Sequence, residues 1–417
     1  MTTPSKTSAT MDGAGQDSLG GIFLVFLRLG LTSFGGPIAH IGYFRDEFVQ
    51  RRRWLSERSY IDLVALCQFL PGPASSQVGM ALGLLRHGYG GALAAWAGFT
   101  LPSAIALMLF ALGISNHALA LPVGAVQGLK VLAVAVVVQA VWGMAKHLCA
   151  DTPRVTLMAM AAGIALLFPS AIGQVLVIAG AAVVGLFFFD PGRAQDHQPL
   201  PFNISQRAGL LGLTLLFSLL FGLPMAARLL PYQSLAEISV FFRSGALVFG
   251  GGHVVLPLLQ AAVVPAGWVS KDVFLAGYAA AQAIPGPLFS FAAFLGAAMN
   301  TAPSGWLGGL LCLLAIFAPS FLLLIAALPF WQGLSRNAGA QAALMGINAA
   351  VVGLLLAALY HPLWTSAVHQ ARDFSLLVAA VVALMFWRLP VWLVVLGCAS
   401  AGALIHPFLR AGFHPIL

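Results

Sequence analysis

Long apolar runs follow one another along this chain with few polar interruptions. Most reach the roughly 20 residues that a helix needs to cross a hydrocarbon core of about 30 Å. The alternating ten-residue segments typical of membrane barrels are missing from the pattern, so we predict helical spans. The runs lie near residues 19–42, 60–84, 89–115, 119–146, 155–168, 170–189, 208–230, 236–257, 273–299, 305–331, 340–361, 374–388 and 390–411. Two of them, 155–168 and 374–388, are short and predict tilted or incomplete crossings.

The composition supports a membrane protein. Residues are 60% hydrophobic and 8% charged, whereas a soluble domain carries roughly 25% charged residues. The polar segment 1–18 lacks the basic start and cleavage site of a secretory signal and predicts a disordered tail, and 412–417 is a short C-terminal tail. The net charge of +8 comes from scattered loop residues and Arg51, Arg52 and Arg53. It favours contact with lipid headgroups or an anionic substrate over nucleic acid.

Cysteine and histidine spacing predicts no metal site. The ten histidines show no paired i, i+4 arrangement, and the cysteines lie too far apart for zinc or disulfide spacing. We interpret the cysteines as small core residues. They are Cys67, Cys149, Cys312 and Cys398.

The second half of the chain repeats the first at an offset of 214 to 218 residues. Six apolar runs fall in each half and one, 208–230, lies between them, so the second copy would enter the membrane in the opposite orientation, as an inverted repeat. We assign 19–189 to the first repeat, 190–235 to a linker with one helix, and 236–411 to the second repeat. The matches are Arg28 with Arg243, Phe34-Gly35-Gly36 with Phe249-Gly250-Gly251, Trp54-Leu55-Ser56 with Trp268-Val269-Ser270, Gln68 with Gln282, Pro71-Gly72-Pro73 with Pro285-Gly286-Pro287, Pro102-Ser103 with Pro319-Ser320, and, more weakly, Gln127–Lys130 with Met345–Asn348.

Charge in matching loops indicates an orientation but does not fix it. Loop 42–58 carries five arginines, whereas 265–272 carries only Lys271, which favours a cytoplasmic first loop. Counted over all loops, lysine and arginine are nearly balanced between the two sides. If the Pro-Gly-Pro or glycine-rich segments are re-entrant hairpins, the number of full crossings falls toward about ten.

Proline and glycine break the apolar runs at matched positions. Proline removes a backbone donor and clashes with the preceding turn, so Pro71-Gly72-Pro73 and Pro285-Gly286-Pro287 predict helix breaks. New half-helices would start there, and helix N-termini attract anions. Their first free N–H groups would belong to Ala74, Ser75 and Ser76, and to Leu288, Phe289 and Ser290. Glycines 35, 36, 250 and 251 predict a second pair of breaks; alternatively, all these residues only kink and pack helices.

Three cations lie inside apolar runs: Arg28, Lys130 and Arg243. Only one acid, Glu237, is placed to reach one of them. A buried guanidinium is costly, so its matched repetition indicates that the protein binds an anion. Two arginine forks and two helix N-termini would replace much of the hydration shell of a tetrahedral dianion. The alternative is that the arginines cap carbonyl groups or snorkel, and Lys130, matched by Asn348, is equally consistent with a packing role.

Other polar residues near the breaks are accessory candidates. Gln68 and Gln282 are candidate uncharged donors to a substrate, although they would equally well bond across helices. Titratable groups for ion coupling are His40, His253, Asp62 and Glu237. No phosphate-binding loop or other enzymatic motif occurs, so uphill transport would draw on an ion gradient or the membrane potential.

These motifs resemble the chromate ion transporter family in its long, two-domain form, over residues 19 to 411. The resemblance is carried by Arg28 with Phe34-Gly35-Gly36-Pro37, Trp54-Leu55, Gln68–Pro73 and their echoes through Pro285-Gly286-Pro287. It implies a bacterial inner-membrane protein that exports chromate and confers resistance, driven by membrane potential or a proton gradient. Gly252 stands where Pro37 does and Phe289 where Ser75 does, so the halves need not contribute equally.

The expected fold is an all-α polytopic membrane protein, an inverted repeat of about 10 to 13 helices with broken or re-entrant segments. The predicted substrate site comprises the two arginines, the four glycines and two glutamines above, Gly72, Gly286, Ser75, Ser76 and Ser290. Membrane lipid is the other expected partner, a homodimer is a candidate assembly, and no cofactor is expected. The donor set does not separate chromate from sulfate, so oxyanion uptake stays open, as do a passive anion channel and a membrane-embedded reductase.

Overall fold

A computed structural model of the chain describes residues 18–34, 36–115, 122–168, 170–190, 200, 202, 204–249 and 252–412. The predicted tails 1–18 and 412–417 lie outside these residues, except for Ser18 and Gly412. Ser18 departs from the prediction. Its hydroxyl accepts a hydrogen bond from the Gly21 N–H (3.1 Å) and caps the first helix.

Several helices of the first half end within three residues of a glycine or proline. They are α1 (Leu19–Thr32), α2 (Gly36–Arg45), α3 (Glu57–Phe69), α4 (Ala74–Ser115), α5 (Val123–Leu148), α6 (Thr152–Leu167) and α7 (Ala171–Phe188). A π-helical turn, Asp46–Arg51, follows α2. The apolar run 19–42 is not one span, because the chain leaves the helix at the predicted glycine break.

The second half follows the same plan after a connecting helix. Its helices are α8 (Gln206–Leu229), α9 (Gln233–Ala246), α10 (Val255–Val263), α11 (Lys271–Ala283), α12 (Phe291–Ala297), α13 (Gly305–Ala327), α14 (Trp331–Arg336), α15 (Ala338–Ala358), α16 (Thr365–Ala367), α17 (Ala371–Met385) and α18 (Val391–Gly412). Short 3-10 turns, Gly252–Val254 and Leu288–Ser290, precede α10 and α12. The two short apolar runs form α6 and α17, of 16 and 15 residues; their tilted or incomplete crossing stays a prediction.

Matched serines start the helix that leads to each Pro-Gly-Pro segment. The Ser56 hydroxyl accepts from the Ser59 N–H (3.1 Å) at the start of α3, and the Ser270 hydroxyl accepts from the Val273 N–H (3.3 Å) at the start of α11. The repeated Trp-x-Ser loops therefore encode an N-cap in both halves.

In the second half the chain folds back on itself at Pro-Gly-Pro. Phe274 on α11 packs edge-to-face on Phe291 of α12, with ring centroids 5.1 Å apart, and Gly277 lies against the Phe294 ring. A straight helix would separate residues so far apart in sequence by about 25 Å. At 13 and 10 residues, α11 and the segment 288–297 are also too short to cross about 30 Å of hydrocarbon. The pair is a helical hairpin with Gly286 at its tip, as expected for the predicted re-entrant segment.

The helix that follows each tip turns back through a pair of close glycines. His87 and Gly88 leave helical geometry and divide α4 into two arms, 74–86 and 89–115. Gly83 and Gly91 bring the backbones of these arms together, and Gly296 and Gly308 do the same for α12 and α13. Any side chain there would collide with a facing carbonyl oxygen, so close approach requires glycine.

Each half contributes one helix that packs against two helices of the other half. From the first half, α5 packs on α17 and α18, and from the second, α15 packs on α6 and α7. Gly128 lies against the Cys398 carbonyl, and Gly346 lies against the Ala181 carbonyl. The weakest of the sequence matches, between 127–130 and 345–348, thus marks the contact glycine of both helices.

Large apolar side chains cover the outer surface. Those most exposed on α7 and α8 are Phe187, Phe188, Leu211 and Leu229, as expected for a surface that faces lipid. Within the described residues, five helical stretches have the length and composition of a membrane crossing: 74–114, 124–148, 206–229, 305–330 and 338–367. The first of these is divided at His87 and Gly88 into the two arms described above. The chain is an all-α polytopic membrane protein. The opposite orientation of its second repeat stays a prediction.

Candidate functional site

Each Pro-Gly-Pro tip is held by a carbonyl group of the other half. The Gly72 N–H donates to the Val248 carbonyl oxygen (2.6 Å), and the Gly286 N–H donates to that of Ser33 (3.1 Å). Both glycines have positive φ, 118° and 108°. Both acceptors lie just after a helix end, α9 for Val248 and α1 for Ser33. The two predicted breaks are therefore brought into one arrangement with approximate twofold symmetry.

The matched Pro-Ser pairs form a wall beside each tip. A Cβ atom added to Gly72 would lie 2.9 Å from Ser320 Oγ, and one added to Gly286 would lie 2.8 Å from Ser103 Oγ. Each serine follows a proline inside its helix, Pro102 in α4 or Pro319 in α13, which leaves one carbonyl of the preceding turn without its helical donor. The duplication of these pairs is visible in the sequence, but their position at the site was not predicted.

Hydroxyl pairing differs between the two halves although the residue types match. Ser103 Oγ donates to the Thr100 carbonyl (2.9 Å), so the 2.6 Å contact between Ser103 and Ser290 has Ser290 as donor. The equivalent hydroxyls are those of Ser320 and Ser76. They are 0% and 3% exposed, and neither has a hydrogen-bond partner among the described residues.

A buried histidine links the two tips. His40 Nε2 lies 3.2 Å from the Ser33 carbonyl oxygen, and His40 Nδ1 lies 3.4 Å from Ser75 Oγ. With the proton on Nε2, the ring donates to Ser33 and accepts from Ser75. Because Ser33 also accepts from Gly286, the chain of contacts runs from the first turn of α4 to the second tip.

The N-terminus of α4 has the predicted free donors, but its counterpart does not. The first intrahelical bond runs from the Gln77 N–H to the Pro73 carbonyl (2.9 Å), so the N–H groups of residues 74–76 precede the ladder. In the second half the Ser290 N–H donates to the Pro287 carbonyl (3.0 Å). The prediction of a free Ser290 N–H is wrong, because this segment starts as a tighter 3-10 turn.

The two arginines have equivalent positions and different surroundings. Each lies five residues before the carbonyl that accepts a tip N–H, about 7.5 Å along its helix. Arg243 is half-buried, its Nε has no partner in the described part of the chain, and its electrostatic neighbour is Arg228. Arg28 is exposed and lines a cavity of about 320 Å³ with Thr32, Tyr43, Asp46, Glu47 and Arg51.

The prediction that Glu237 is the only acid placed to reach an embedded cation is wrong. Asp46 and Glu47 share the Arg28 cavity. Burial alone would raise the pKa of Glu47, but hydrogen bonds from Arg52 and Arg51 outweigh it and hold the pKa below its usual value. That carboxylate is therefore ionised beside Arg28.

Lys130 and Glu237 also have partners that the sequence did not indicate. Lys130 Nζ lies 2.6 Å from Asp272 Oδ1, at the start of α11. Glu237 is fully buried and accepts from Thr301 Oγ1 (3.4 Å). Lys130 and Asp272 belong to different halves, and Glu237 and Thr301 lie 64 residues apart within the second half, so local sequence carries no signal for either pair.

The remaining candidates are dispersed. Gln68 is exposed, whereas Gln282 Nε2 lies 3.4 Å and the Tyr278 hydroxyl oxygen 2.8 Å from His253 Nδ1. Asp62 is buried in α3. Gly36 has the positive φ (76°) expected at its break. Gly35, Gly250 and Gly251 lie outside the described residues.

All four cysteines are free and buried, which confirms their interpretation as core residues. Throughout the part of the chain that the structure describes, no three or more His, Cys, Asp or Glu side chains form a group that could hold a metal ion.

The backbone at the first tip requires glycine. We expect Gly72→Ala to lower the free energy of unfolding by about 2 kcal/mol or more, because φ is positive and the new Cβ would crowd Ser320 and Gln77. Gly267→Ala is the matched control, since Gly267 also has positive φ (72°) but open space around it; we expect about 1 kcal/mol. Thermal unfolding in detergent measures both, and equal losses would show that contacts at the tip are unimportant.

Comparisons with known proteins agree with this twofold construction. A family model described as "Chromate transporter" matches residues 20–186 and again 235–403. A chromate transport protein of Pseudomonas aeruginosa is 28% identical, with 97% of each chain covered. One from Cupriavidus metallidurans is 25% identical over 98% of this chain and 100% of its own. An uncharacterized transporter of Methanocaldococcus jannaschii is 29% identical over 81% of this chain and 82% of its own. No solved structure matches the chain.

Proposed function

This chain belongs to the chromate transporter family, and on that premise we propose that it is a secondary active transporter that exports chromate from the cytoplasm. It would reside in a bacterial inner membrane, confer chromate resistance, and draw on the membrane potential or a proton gradient. Support comes from relatives named as chromate transport proteins that align over nearly the full chain. Membership of the family indicates a transporter rather than an enzyme.

The observation that carries the proposed site is the unpaired hydroxyl couple at the first tip. An oxyanion accepts hydrogen bonds and donates none, so it suits the hydroxyls of Ser76 and Ser320, which have protons to give. The N–H groups of the first turn of α4 and its dipole would add attraction for negative charge. Arg243 would supply the full positive charge, since no carboxylate is paired with it among the described residues.

Arg28 has a different part in this proposal. Its cavity opens beside the arginine-rich loop, and the proposal takes this loop to face the cytoplasm, as its charge favours. Asp46 and Glu47 balance the charge there, so an anion would be held weakly and pass on. We propose that Arg28 attracts the oxyanion at entry and that Arg243 helps to hold it at the tips.

Chromate accumulation tests the function directly. Cells that express the protein should accumulate less chromate than cells without it, and an uncoupler should abolish the difference. Everted vesicles that contain the protein should take up labelled chromate, and excess sulfate would compete if the site accepts any tetrahedral dianion. Sulfate movement without chromate movement would reassign the substrate, and increased chromate accumulation in intact cells would reverse the direction.

A further inference from the structure

A second cavity, separate from the tips, lies among α6, α7, α10 and α15. It has a volume of about 280 Å³ and mostly apolar walls, as small-molecule sites commonly do. Its polar lining consists of Gln174, Gln260, Lys271 and His361. Neither the proposed transport mechanism nor the repeated motifs use Gln174 or Gln260.

Three side-chain amide atoms in this cavity lack hydrogen-bond partners among the described residues. Gln260 is 5% exposed, and neither its Oε1 nor its Nε2 has a hydrogen-bond partner within the described residues. Gln174 is 8% exposed, and its Oε1 likewise has none there. An unsatisfied buried polar group costs about 1–3 kcal/mol. Several such atoms around one cavity therefore point to a polar ligand.

Charge identifies the class of that ligand. Lys271 lines the cavity, and no carboxylate does. The neighbouring Asp272 is engaged by Lys130, at 2.6 Å, which offsets its negative charge. The cavity therefore presents an ammonium group, an amide donor and amide acceptors to its occupant.

We propose that this cavity is a second oxyanion site, in which the transported ion is held before or after the tips. This inference rests on the proposed function. Lys271 Nζ and Gln260 Nε2 would donate to the ion, and a retained water would donate to Gln260 Oε1 and Gln174 Oε1. Helix α10 connects the two sites, because Gln260 lies eight residues, about 12 Å, beyond the turn at Gly252.

Sulfate binding to the purified protein tests the proposal. In equilibrium dialysis with labelled sulfate, we expect two bound ions per chain, and one in the double variant Gln260→Met with Lys271→Gln. Lys146→Gln, a charge loss at the exposed end of α5, is the matched control and should retain two. Because Gln260 has no hydrogen-bond partner among the described residues, Gln260→Met alone should leave the thermal unfolding temperature unchanged or higher without sulfate.

Other outcomes separate this inference from the proposed function. One bound ion that Ser76→Ala abolishes and the double variant leaves intact would overturn the second site alone. No sulfate or chromate bound to any form would count against both proposals. If the double variant loses bound phospholipid phosphate instead of sulfate, the site belongs to a lipid headgroup and the proposal is wrong.

Discussion

Arg243→Met is expected to lower the initial rate of chromate transport about 100-fold while the protein still folds and inserts. A charge-assisted hydrogen bond contributes about 1.5–3 kcal/mol, and each 1.4 kcal/mol corresponds to a factor of about ten. Methionine keeps the length and apolar stem of the side chain. It also removes a buried Nε that has no partner among the described residues, so thermal stability should not fall.

Three companion variants make this result interpretable. Arg243→Lys should keep only part of the rate, because an ammonium cannot offer the planar pair of donors. Arg28→Met should reduce transport less than Arg243→Met, since Asp46 and Glu47 already share the Arg28 cavity. Arg207→Met, at the exposed start of α8, is the matched control and should transport normally. Wild-type rates in the Arg243→Met protein would remove that residue from the proposed site.

The breaks in the fold could be predicted from the sequence because their causes are local. Two prolines flank a glycine at 71–73 and at 285–287, and each proline removes a backbone donor and clashes with the preceding turn, so the observed helices end before these segments and resume after them. What the chain does after a break is not local. Whether it continues across the membrane or folds back depends on contacts such as Phe274 with Phe291, which join separate elements.

Partners across the repeat interface were equally hidden from the sequence. Lys130 and Asp272 belong to different halves, and nothing in the residues around either one indicates the other. The Pro-Ser pairs are different, since their duplication was visible and only their place beside the tips was missing. The useful signal was a polar residue next to an in-helix proline at matched positions of both halves. It would have identified Ser103 and Ser320.

The unequal hydroxyl pairs cannot be read from sequence at all. Ser76 with Ser320 and Ser290 with Ser103 are the same residue types at matched positions, yet only the second pair is hydrogen bonded. If a repeat protein alternates between two conformations, its equivalent pairs exchange their arrangements, so the bonded pair opens while the unbonded pair closes. We therefore propose that transport alternates between a state with the second pair closed and a state with the first pair closed.

A disulfide between positions 103 and 290 is expected to stop this exchange and abolish transport. The Ser103 and Ser290 hydroxyl oxygens are 2.6 Å apart, which places their Cβ atoms within reach of a disulfide. In a chain with the four native cysteines replaced by alanine, Ser103→Cys with Ser290→Cys should lose transport on oxidation and regain it with reductant. Chromate uptake into everted vesicles measures the rate, and each single variant should be insensitive to oxidant.

The equivalent pair distinguishes a moving tip from a merely blocked one. Ser76→Cys with Ser320→Cys should cross-link only when the first pair closes. If the oxyanion raises the cross-linking rate of one pair, it should therefore lower the rate of the other. A static site would leave both rates unaffected by the ion. If the oxidised 103–290 protein is fully cross-linked and transports at the rate of its reduced form, the tips do not separate during transport, because a covalent bond of about 2 Å permits no such movement.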